Sequence, residues 1–309
     1  MRGRTPWDAR LVAGAAGAAG LMALHSVVPN AVGRLGSLVE TFLPWLGVAV
    51  PVLGVGALLA RSGAGLLACL APALVWCWMF GGLWFASSPG PHNLLVVQHN
   101  VADDDADPAG TARALLASGA GLVAVQELTP AARPRYEDVL GASHPHRAVR
   151  GTVGLWSAWP LSDVRPVDIR PEGFPGSWRR GMRATVSAPG GRIAVYVAHL
   201  PSVRLGATGL ASAARDESAA LLGARIADDP AGRLLLLGDL NGTLHDRGLG
   251  PLTSQLAAPA AGFAFSWPSA LPVTRIDQVL GRGVEVTRVT ALGPTGSDHR
   301  PVLGRVRLR

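Results

Sequence analysis

Polar side chains with the chemistry of catalysis or metal binding stand where short apolar runs of this 309-residue sequence end. Such a run is typical of a buried strand, so the polar group at its end loses water unless it is paired or bound to a metal. Any one of these groups alone is more often a satisfied polar residue of a core. Together, at successive strand ends, they predict one shared active site. They are Asn100, Glu127, His199, Asp239, Asn241, Asp277, Asp298 and His299.

The stretch LLLLGDLNGT, residues 234–243, shows this pattern most clearly. Four leucines predict a fully buried strand, and Asp239 and Asn241 follow it within a few residues. Gly, Asp and Asn are also good turn formers, so this stretch alone is compatible with a plain turn. The remaining strand ends favour the site, because turn chemistry does not require the same residue types at each of them.

Alternating strand and helix patterns after residue 93 position these groups. Helical patterns cover residues 108–121, 129–141 and 207–228. Helices interleaved with strands of this kind predict an α/β layered fold. The predicted strands are LLVVQHNV, GLVAVQEL, GTVGLWSA, GMRATVSA, RIAVYVAHL, LLLLGDLNG, RIDQVLG, VEVTRVTALG and RPVLGRVRL.

Residues 1–90 differ from the rest because they contain long apolar runs almost free of charge. About 20 apolar residues in a helix cross a bilayer. The runs predict three transmembrane helices, at about 11–28, 38–60 and 64–86. The chain is therefore expected to have a membrane domain, 1–90, followed by a catalytic domain, 91–309.

The distribution of arginines predicts the orientation in the cell membrane. Arg2, Arg4 and Arg10 precede the first predicted span, and Arg61 lies between the second and third. Under the positive-inside rule these place the N-terminus in the cytoplasm, although Arg34 argues weakly the other way. Three crossings then place the catalytic domain outside the cytoplasm. A signal peptide is the alternative for the first span, but two further spans follow it.

The charge of residues 91–309 excludes few classes of binding partner. This region holds 23 arginines and 19 acidic residues, a formal net charge of +4, and the whole chain has no lysine. That balance permits contact with phosphates or an anionic membrane but shows no concentrated stripe for nucleic acid. Cys69 and Cys77 both lie in the apolar part, so the catalytic region has no disulfide framework and no cysteine nucleophile.

Six motifs in this region carry a family resemblance: QHN, VQE, AHL, GDLN, RIDQV and SDHRPV, in that order. This order resembles the endonuclease/exonuclease/phosphatase superfamily, the metal-dependent phosphoesterases related to DNase I. The resemblance covers residues 93–309. It implies a DNase I-like four-layer α/β sandwich, here preceded by the three transmembrane helices.

The resemblance also implies a metal site. Glu127 would be the main ligand, with Asn100 nearby and Asp298 contributing directly or through water. Oxygen donors of this kind suit Mg²⁺ or Mn²⁺.

The remaining residues of the motifs would carry the catalytic roles. By the resemblance, Asp239 orients and deprotonates the attacking water, and Asn241 holds that water or the phosphate. Asp277 orients the imidazole of His299, which contacts the scissile phosphate. His199 stabilises the phosphate or the leaving oxygen.

The sequence departs from the family pattern near Asn100. Many members carry a second acidic or amide group two residues later, where this chain has Ala102. The stretch GSWRRGMRAT supplies three arginines that could clamp phosphate groups, of which we predict Arg179 and Arg183, with Arg180 between them. Exposed arginines without a ligand are the equally weighted alternative.

The membrane segment narrows the resemblance to the VanJ-like glycopeptide-resistance membrane proteins, which are thought to act on undecaprenyl lipid phosphates. That predicts a membrane-integral phosphatase whose substrate is a lipid phosphate or diphosphate. Anchoring favours such a substrate, since a tethered enzyme meets it at high effective concentration. The first alternative is an anchored extracytoplasmic nuclease with nucleic acid as its partner. The second is a membrane protein with an inactive site that binds a partner.

Overall fold

The structure is a computed structural model that describes residues 6–85 and 90–308, in two compact units, 1–85 and 86–309. The first unit is helical. Two short 3₁₀ helices, His25–Val27 and Leu43–Val48, interrupt its α-helices. The α-helices are α1 (Pro6–Ala23), α2 (Leu35–Thr41), α3 (Ala49–Leu59), α4 (Gly63–Ala68) and α5 (Leu70–Phe85).

The described residues contain one or two helices that are long and apolar enough to cross a membrane. One is the stretch Gly63–Trp84, and the other would be Leu35–Thr41 with Leu43–Leu59, which are bent by 70° against each other. These match the second and third predicted spans. The first predicted span lies partly in α1, but α1 begins at Pro6 with Asp8 and Arg10 in its first turns and ends at Ala23, and it is not among the helices apolar enough to cross a membrane. Three transmembrane helices are thus not established.

Two polar residues of this unit meet each other. His25 Nδ1 lies 3.3 Å from Glu40 Oε1, and the Glu40 side chain is buried. The buried carboxylate of Glu40 is thus accommodated by an imidazole.

The second unit contains two facing β-sheets with helices on both outer sides. The first sheet has the strand order β12-β13-β1-β2-β4-β3, and the second has β11-β10-β7-β6-β5. The strands are β1 (Leu94–Asn100), β2 (Leu122–Gln126), β3 (His146–Arg150), β4 (Val153–Ser157), β5 (Leu161–Pro166), β6 (Gly181–Ala188), β7 (Gly191–His199), β8 (Arg204–Gly206), β9 (Gly209–Ala211), β10 (Leu234–Asp239), β11 (Asp277–Arg282), β12 (Val284–Ala291) and β13 (Val302–Leu308). The helices are α6 (Pro108–Ala117), α7 (Arg133–Leu140), α8 (Ala213–Ala227) and the single turn α9 (Gly250–Thr253).

Three apolar clusters make this unit a four-layer sandwich. The central one joins the inner faces of both sheets, with residues such as Val96 and Leu155 facing Val195 and Leu237. A second cluster packs α8 and α9 on the outer face of the second sheet. A third packs α6 and α7 on the outer face of the first sheet. The predicted α/β sandwich is therefore confirmed.

The four leucines of β10 are buried because both faces of this strand are covered. Leu235 and Leu237 belong to the central cluster, whereas Leu234 and Leu236 pack beneath α8. A strand covered on both sides has an uninterrupted apolar sequence instead of an alternating one. The next inward position after Leu237 is Asp239, so the strand delivers a carboxylate to the end of the sandwich interior.

The structure adds elements that the sequence did not predict. The helix predicted over 207–228 begins only at Ala213, because the preceding residues form the β8–β9 hairpin. The edge strand β5 was also missed. The site lies at the edge of the sandwich where β1 ends, whereas the chain enters the sheet at Leu94, at the other end of that strand.

Candidate active site

The second sheet places three of the predicted site residues in one row. Asp239 ends β10 and is paired in register with His199 on β7 and Asp277 on β11. All three are buried on the inner face of the sheet. Side chains of directly paired residues lie side by side on one face of a sheet. The row therefore brings two carboxylates and an imidazole together from positions that are 38 and 40 residues apart along the chain.

The first sheet contributes amides that cross the interior to this row. Asn100 Nδ2 donates to Asp239 Oδ2 at 3.0 Å, and Gln98 Nε2 donates to Asp277 Oδ1 at 2.7 Å. Both donors project inward from β1, two residues apart. These bonds connect the two sheets and orient both carboxylates. Gln98 was not predicted from the sequence; its period-two spacing from Asn100 was the available signal.

Asp277 and His299 form a direct pair. His299 Nδ1 donates to Asp277 Oδ2 at 2.8 Å, and His299 Nε2 lies 3.8 Å from Asp239 Oδ2. Burial alone would lower the pKa of His299, but the carboxylates of Asp277 and Asp239 outweigh it and raise this pKa to about 10. Burial would raise the pKa of Asp277, but His299 holds it below its usual range. His299 is therefore an imidazolium at neutral pH.

Asp239 is in the opposite situation. Its carboxylate accepts hydrogen bonds from amides: from Asn100 Nδ2, from the backbone N–H of Asn241 at 2.9 Å and from Asn241 Nδ2 at 3.3 Å. Burial raises the pKa of Asp239 well above its usual range, and the neighbouring charge of Asp277 raises it further, against the lowering effect of His299. A carboxyl group with a raised pKa in such a place is typical of a catalytic acid or base.

His199 is the second histidine of the site and remains neutral. Burial lowers its pKa well below the usual value, and the positive charges of Arg180 and His299 lower it further. Arg180 Nη1 lies 3.1 Å from His199 Nδ1 and 3.3 Å from its Nε2, and the guanidinium also stacks on Trp178 at 5.3 Å. Arg180 thus brings a cation to the entrance of the site.

Glu127 follows β2 at a bend of the backbone. Its φ is +60°, a conformation that non-glycine residues rarely adopt and that is often found at functional sites. Its Oε2 accepts the backbone N–H of Asp103 at 3.3 Å, and its Oε1 lies 3.6 Å from His199 Nε2. His199 Nε2 is also 3.6 Å from Asp239 Oδ2. The carboxylates of Glu127 and Asp239 therefore flank one neutral imidazole.

This donor set suits a hard divalent cation. Carboxylate and amide oxygens, supplied here by Glu127, Asp239 and Asn100, are the ligands that Mg²⁺ prefers. Among the described residues, the His, Asp and Glu group whose ligand atoms all lie within 4.8 Å of one another is a different one, Asp239, Asp277 and His299. Because Asp277 and His299 already bind each other, we regard the Glu127 side as the better candidate for a metal.

Asp298 lies at the edge of the site. Two thirds of its side chain is exposed, Oδ2 accepts the indole N–H of Trp267 at 3.2 Å, and Oδ1 is 3.9 Å from His299 Nε2. It therefore adjoins His299, and the compact group of Asp239, Asp277 and His299 does not include it. A contribution to a metal through water remains the prediction for this residue.

The structure corrects the two predicted phosphate-binding arginines. Arg183 is buried on the outer face of β6, where its Nε donates to Asp229 Oδ2 at 3.0 Å, so it does not reach the site. Arg179 is exposed, and its carbonyl accepts the backbone N–H of Thr152 beside the turn between β3 and β4. Arg180, the arginine between them, is the one at the site, because alternation along the chain turns its side chain to the other face.

Residues 84–299 of the sequence match the Endonuclease/Exonuclease/phosphatase family. No curated protein matches the chain.

Solved structures share the fold at low sequence identity. Sphingomyelinase C from Streptomyces griseocarneus aligns with a TM-score of 0.56 and 19% identity, over 70% of this chain and 99% of that one. A mutant of beta toxin from Staphylococcus aureus with bound magnesium ions aligns with a TM-score of 0.57 and 13% identity, over 69% of this chain and 99% of that one. A humanized D. rerio TDP2 aligns with a TM-score of 0.56 and 17% identity, over 69% of this chain and 98% of that one.

Proposed function

Because the chain belongs to the Endonuclease/Exonuclease/phosphatase family, we propose that it is a Mg²⁺-dependent phosphoesterase that hydrolyses a lipid phosphate or diphosphate. The observation that carries this proposal is the meeting of Asp239, His199, Asp277 and His299 at one edge of the sandwich, with opposite charges held side by side. Such a group offers both a proton acceptor and a cation to a phosphate.

Asp239 is the proposed general base. Its raised pKa suits a group that accepts a proton from water near neutral pH. The amides of Asn100 and Asn241 hold its carboxylate on two sides, so that it keeps one orientation when the proton arrives. Water attacks phosphorus, the bond to the leaving oxygen breaks, and the proton of the water passes to Asp239.

Two cations flank this base. His299, held by Asp277, and Arg180, held over His199, can each donate hydrogen bonds to phosphate oxygens. Donors fixed in advance where negative charge develops lower the barrier of phosphoryl transfer. Neutral His199 can donate to the phosphate or to the leaving oxygen.

Glu127 and Asn100 would hold the divalent cation, with Asp298 acting through water. When bound, Mg²⁺ supplies Lewis-acid polarisation of a phosphoryl oxygen and compensates its charge. The beta toxin structure with magnesium ions shows that this fold accommodates the ion in another protein.

The lipid substrate is proposed from two features. Residues 1–85 include one or two helices apolar enough to cross a membrane, which would tether the enzyme to its substrate. Phe174 and Trp178 pack edge to face at 5.5 Å, and Trp178 lies against Arg180. An aromatic pair beside a cation suits a molecule with a phosphate head and an apolar chain. The proposal includes a cytoplasmic N-terminus, an outward-facing catalytic domain and a VanJ-like role in glycopeptide resistance.

A substrate panel tests the proposal. Full-length protein in detergent is given undecaprenyl diphosphate, sphingomyelin or supercoiled DNA, each with Mg²⁺ or with EDTA, alongside Asp239→Asn. We expect phosphate release from undecaprenyl diphosphate that requires both Mg²⁺ and Asp239, with DNA intact. Nicking of DNA without phosphate release would instead establish the nuclease, and cleavage of sphingomyelin alone would establish a lipid phosphodiesterase.

The cellular part of the proposal has its own test. Expression of the wild type in a teicoplanin-sensitive bacterium should raise the inhibitory concentration of teicoplanin, and Asp239→Asn should not. Equal protection by both proteins would separate resistance from hydrolysis.

A further inference from the structure

Arg215 is a fully buried arginine outside the set of residues that the catalytic proposal uses. It lies in the first turn of α8, and only 1% of it is exposed. Its Nη2 donates to Asp246 Oδ2 at 2.5 Å, and its Nε donates to Asp216 Oδ1 at 2.8 Å. Burial of a guanidinium is costly in free energy, so an arginine in such a place requires hydrogen-bond acceptors for its Nε, Nη1 and Nη2 donors.

The third partner of Arg215 belongs to the active site. Arg215 Nη1 donates to the backbone carbonyl of Asn241 at 2.9 Å. Asn241 has φ +46°, which an asparagine tolerates better than most residues but which still needs support. Its backbone N–H and its side-chain amide both bind Asp239, and the amide also donates to Leu200 O at 2.9 Å.

The residues after Asn241 are adapted to this guanidinium. A Cβ on Gly242 would lie 2.0 Å from Arg215 Nη1, and a Cβ on Gly248 would lie 2.1 Å from Asp216 Oδ1. Asp246 accepts the backbone N–H of Gly248 at 2.9 Å, which closes the segment on itself. Glycine at both positions therefore lets α8 approach the segment 241–248, and Arg215 connects the two.

We propose that Arg215, paired with Asp246, is a positioning residue for the catalytic reaction. It fixes the backbone of Asn241 in the left-handed conformation and thereby keeps the Asn241 amide on Asp239. This inference rests on the proposed function, since it assigns Arg215 a role in the same site. A misplacement of about 1 Å in a catalytic group can reduce the rate by about 10²-fold.

The chain supplies a matched control for a purely structural arginine. Arg183 is also buried in the second sheet and is also paired with an aspartate, Asp229, but it lies on the outer face of β6 away from the site. Loss of either arginine should lower the melting temperature. Only the loss of Arg215 should change turnover.

A double-mutant cycle tests this proposal in full-length protein. Arg215→Met should lower kcat by about 10- to 100-fold, with a smaller change in KM, and Arg183→Met should leave kcat near the wild-type value. In the background of Asn241→Ala, Arg215→Met should lower kcat by no more than about twofold further, because the side-chain amide that Arg215 is proposed to position on Asp239 is already absent. Arg215→Lys should restore part of the loss. A loss of kcat in the double variant equal to the product of the losses in the two single variants would overturn the proposal.

Two further measurements keep the test decisive. If Arg215→Met does not fold, the double variant Arg215→Met/Asp246→Leu, which removes both charges of the fully buried pair, replaces it. Amide hydrogen exchange should accelerate over residues 241–248 in the Arg215 variant and not in Arg183→Met; unchanged exchange there would overturn the proposal. If the wild type hydrolyses none of the substrates, the proposed function fails, whereas the exchange comparison still decides whether Arg215 fixes the segment.

Discussion

Two buried polar clusters lie on opposite faces of the second sheet, and they compensate the charge of their buried carboxylates in different ways. The inner cluster consists of Asp239, Asp277 and His299. The outer cluster consists of Arg183, Tyr196 and Asp229, in which Asp229 accepts from Arg183 Nε at 3.0 Å, from the Tyr196 hydroxyl at 2.7 Å and from the backbone N–H of Ala231 at 2.9 Å.

The difference lies in how the carboxylates are compensated. In the outer cluster, burial would raise the pKa of Asp229, but Arg183 and Tyr196 lower it to about 2. In the inner cluster two carboxylates share one imidazolium, and burial together with the charge of Asp277 raises the pKa of Asp239 despite the nearby His299. A fully compensated cluster stabilises the fold, whereas a partly compensated one keeps a group ready to exchange a proton. The comparison therefore separates a structural network from the network that we propose to be catalytic.

The largest expected effect comes from the inner cluster. Asp277→Asn should lower kcat by about 10²- to 10⁴-fold, because His299 loses the carboxylate that orients it and keeps it charged. Initial rates of phosphate release measure this, with circular dichroism as a check on folding. A rate within about threefold of wild type would remove Asp277 from the mechanism.

The outer cluster should respond in the opposite sense. Asp229→Ala removes the buried carboxylate that pairs with the Arg183 guanidinium, leaving the exposed Asp163 at 3.8 Å, and should lower the free energy of unfolding by about 3–5 kcal/mol, with kcat nearly unchanged. Urea unfolding in detergent, followed by tryptophan fluorescence, measures the free energy of unfolding. Stability close to wild type combined with a lost kcat would reverse the distinction between the clusters.

The stabilisation that each of the two clusters contributes should be lost at opposite ends of the pH scale. The pKa of Asp229 lies below its ordinary value of 3.8, so its stabilisation is complete above about pH 4 and is lost as the pH falls through about 2. The pKa of His299 is raised from 6.5 to about 10, so its stabilisation is complete below pH 6.5 and is lost as the pH rises through about 10.

Melting temperatures across this range check both signs. Asp229→Asn should remove the acid limb of the profile, and Asp277→Asn should weaken the alkaline limb. An alkaline limb that is unchanged in Asp277→Asn would mean that another group causes it.

The smallest effect is expected at an exposed ion pair, which serves as the baseline. Arg133 Nε lies 2.8 Å from Glu137 Oε1, four residues along α7, and both side chains are partly exposed. Such a pair contributes about 0.3–0.5 kcal/mol, so Arg133→Ala should change the free energy of unfolding by less than about 1 kcal/mol. A larger loss would show that charge removal alone, without burial, explains the result at Asp229.

The sequence predicted those elements whose residues are buried on a regular pattern. The strands of the central cluster, such as β1, β7 and β10, have apolar runs that end in polar groups, and these ends also located the site. The edge strand β5 was missed, since it carries Ser162, Asp163 and Arg165 and shows little apolar alternation. Edge strands are often polar because water reaches them.

Contacts between distant segments were beyond a reading of the sequence. Three neighbouring arginines look alike in the text, and only the path of β6 turns Arg180 to the site and Arg183 away from it. Likewise, Arg215 appears as one polar residue of an amphipathic helix. Its contact with Asn241 depends on how α8 packs against the second sheet.

Asp239 is the proposed base of a metal-dependent hydrolysis. The most direct test is the initial rate of phosphate release from undecaprenyl diphosphate by full-length wild type and Asp239→Asn, with saturating Mg²⁺. We predict a loss of at least about 10³-fold in the variant with no loss of melting temperature, since the amide keeps the shape and removes one of two neighbouring carboxylates. Equal rates in the two proteins would contradict the account.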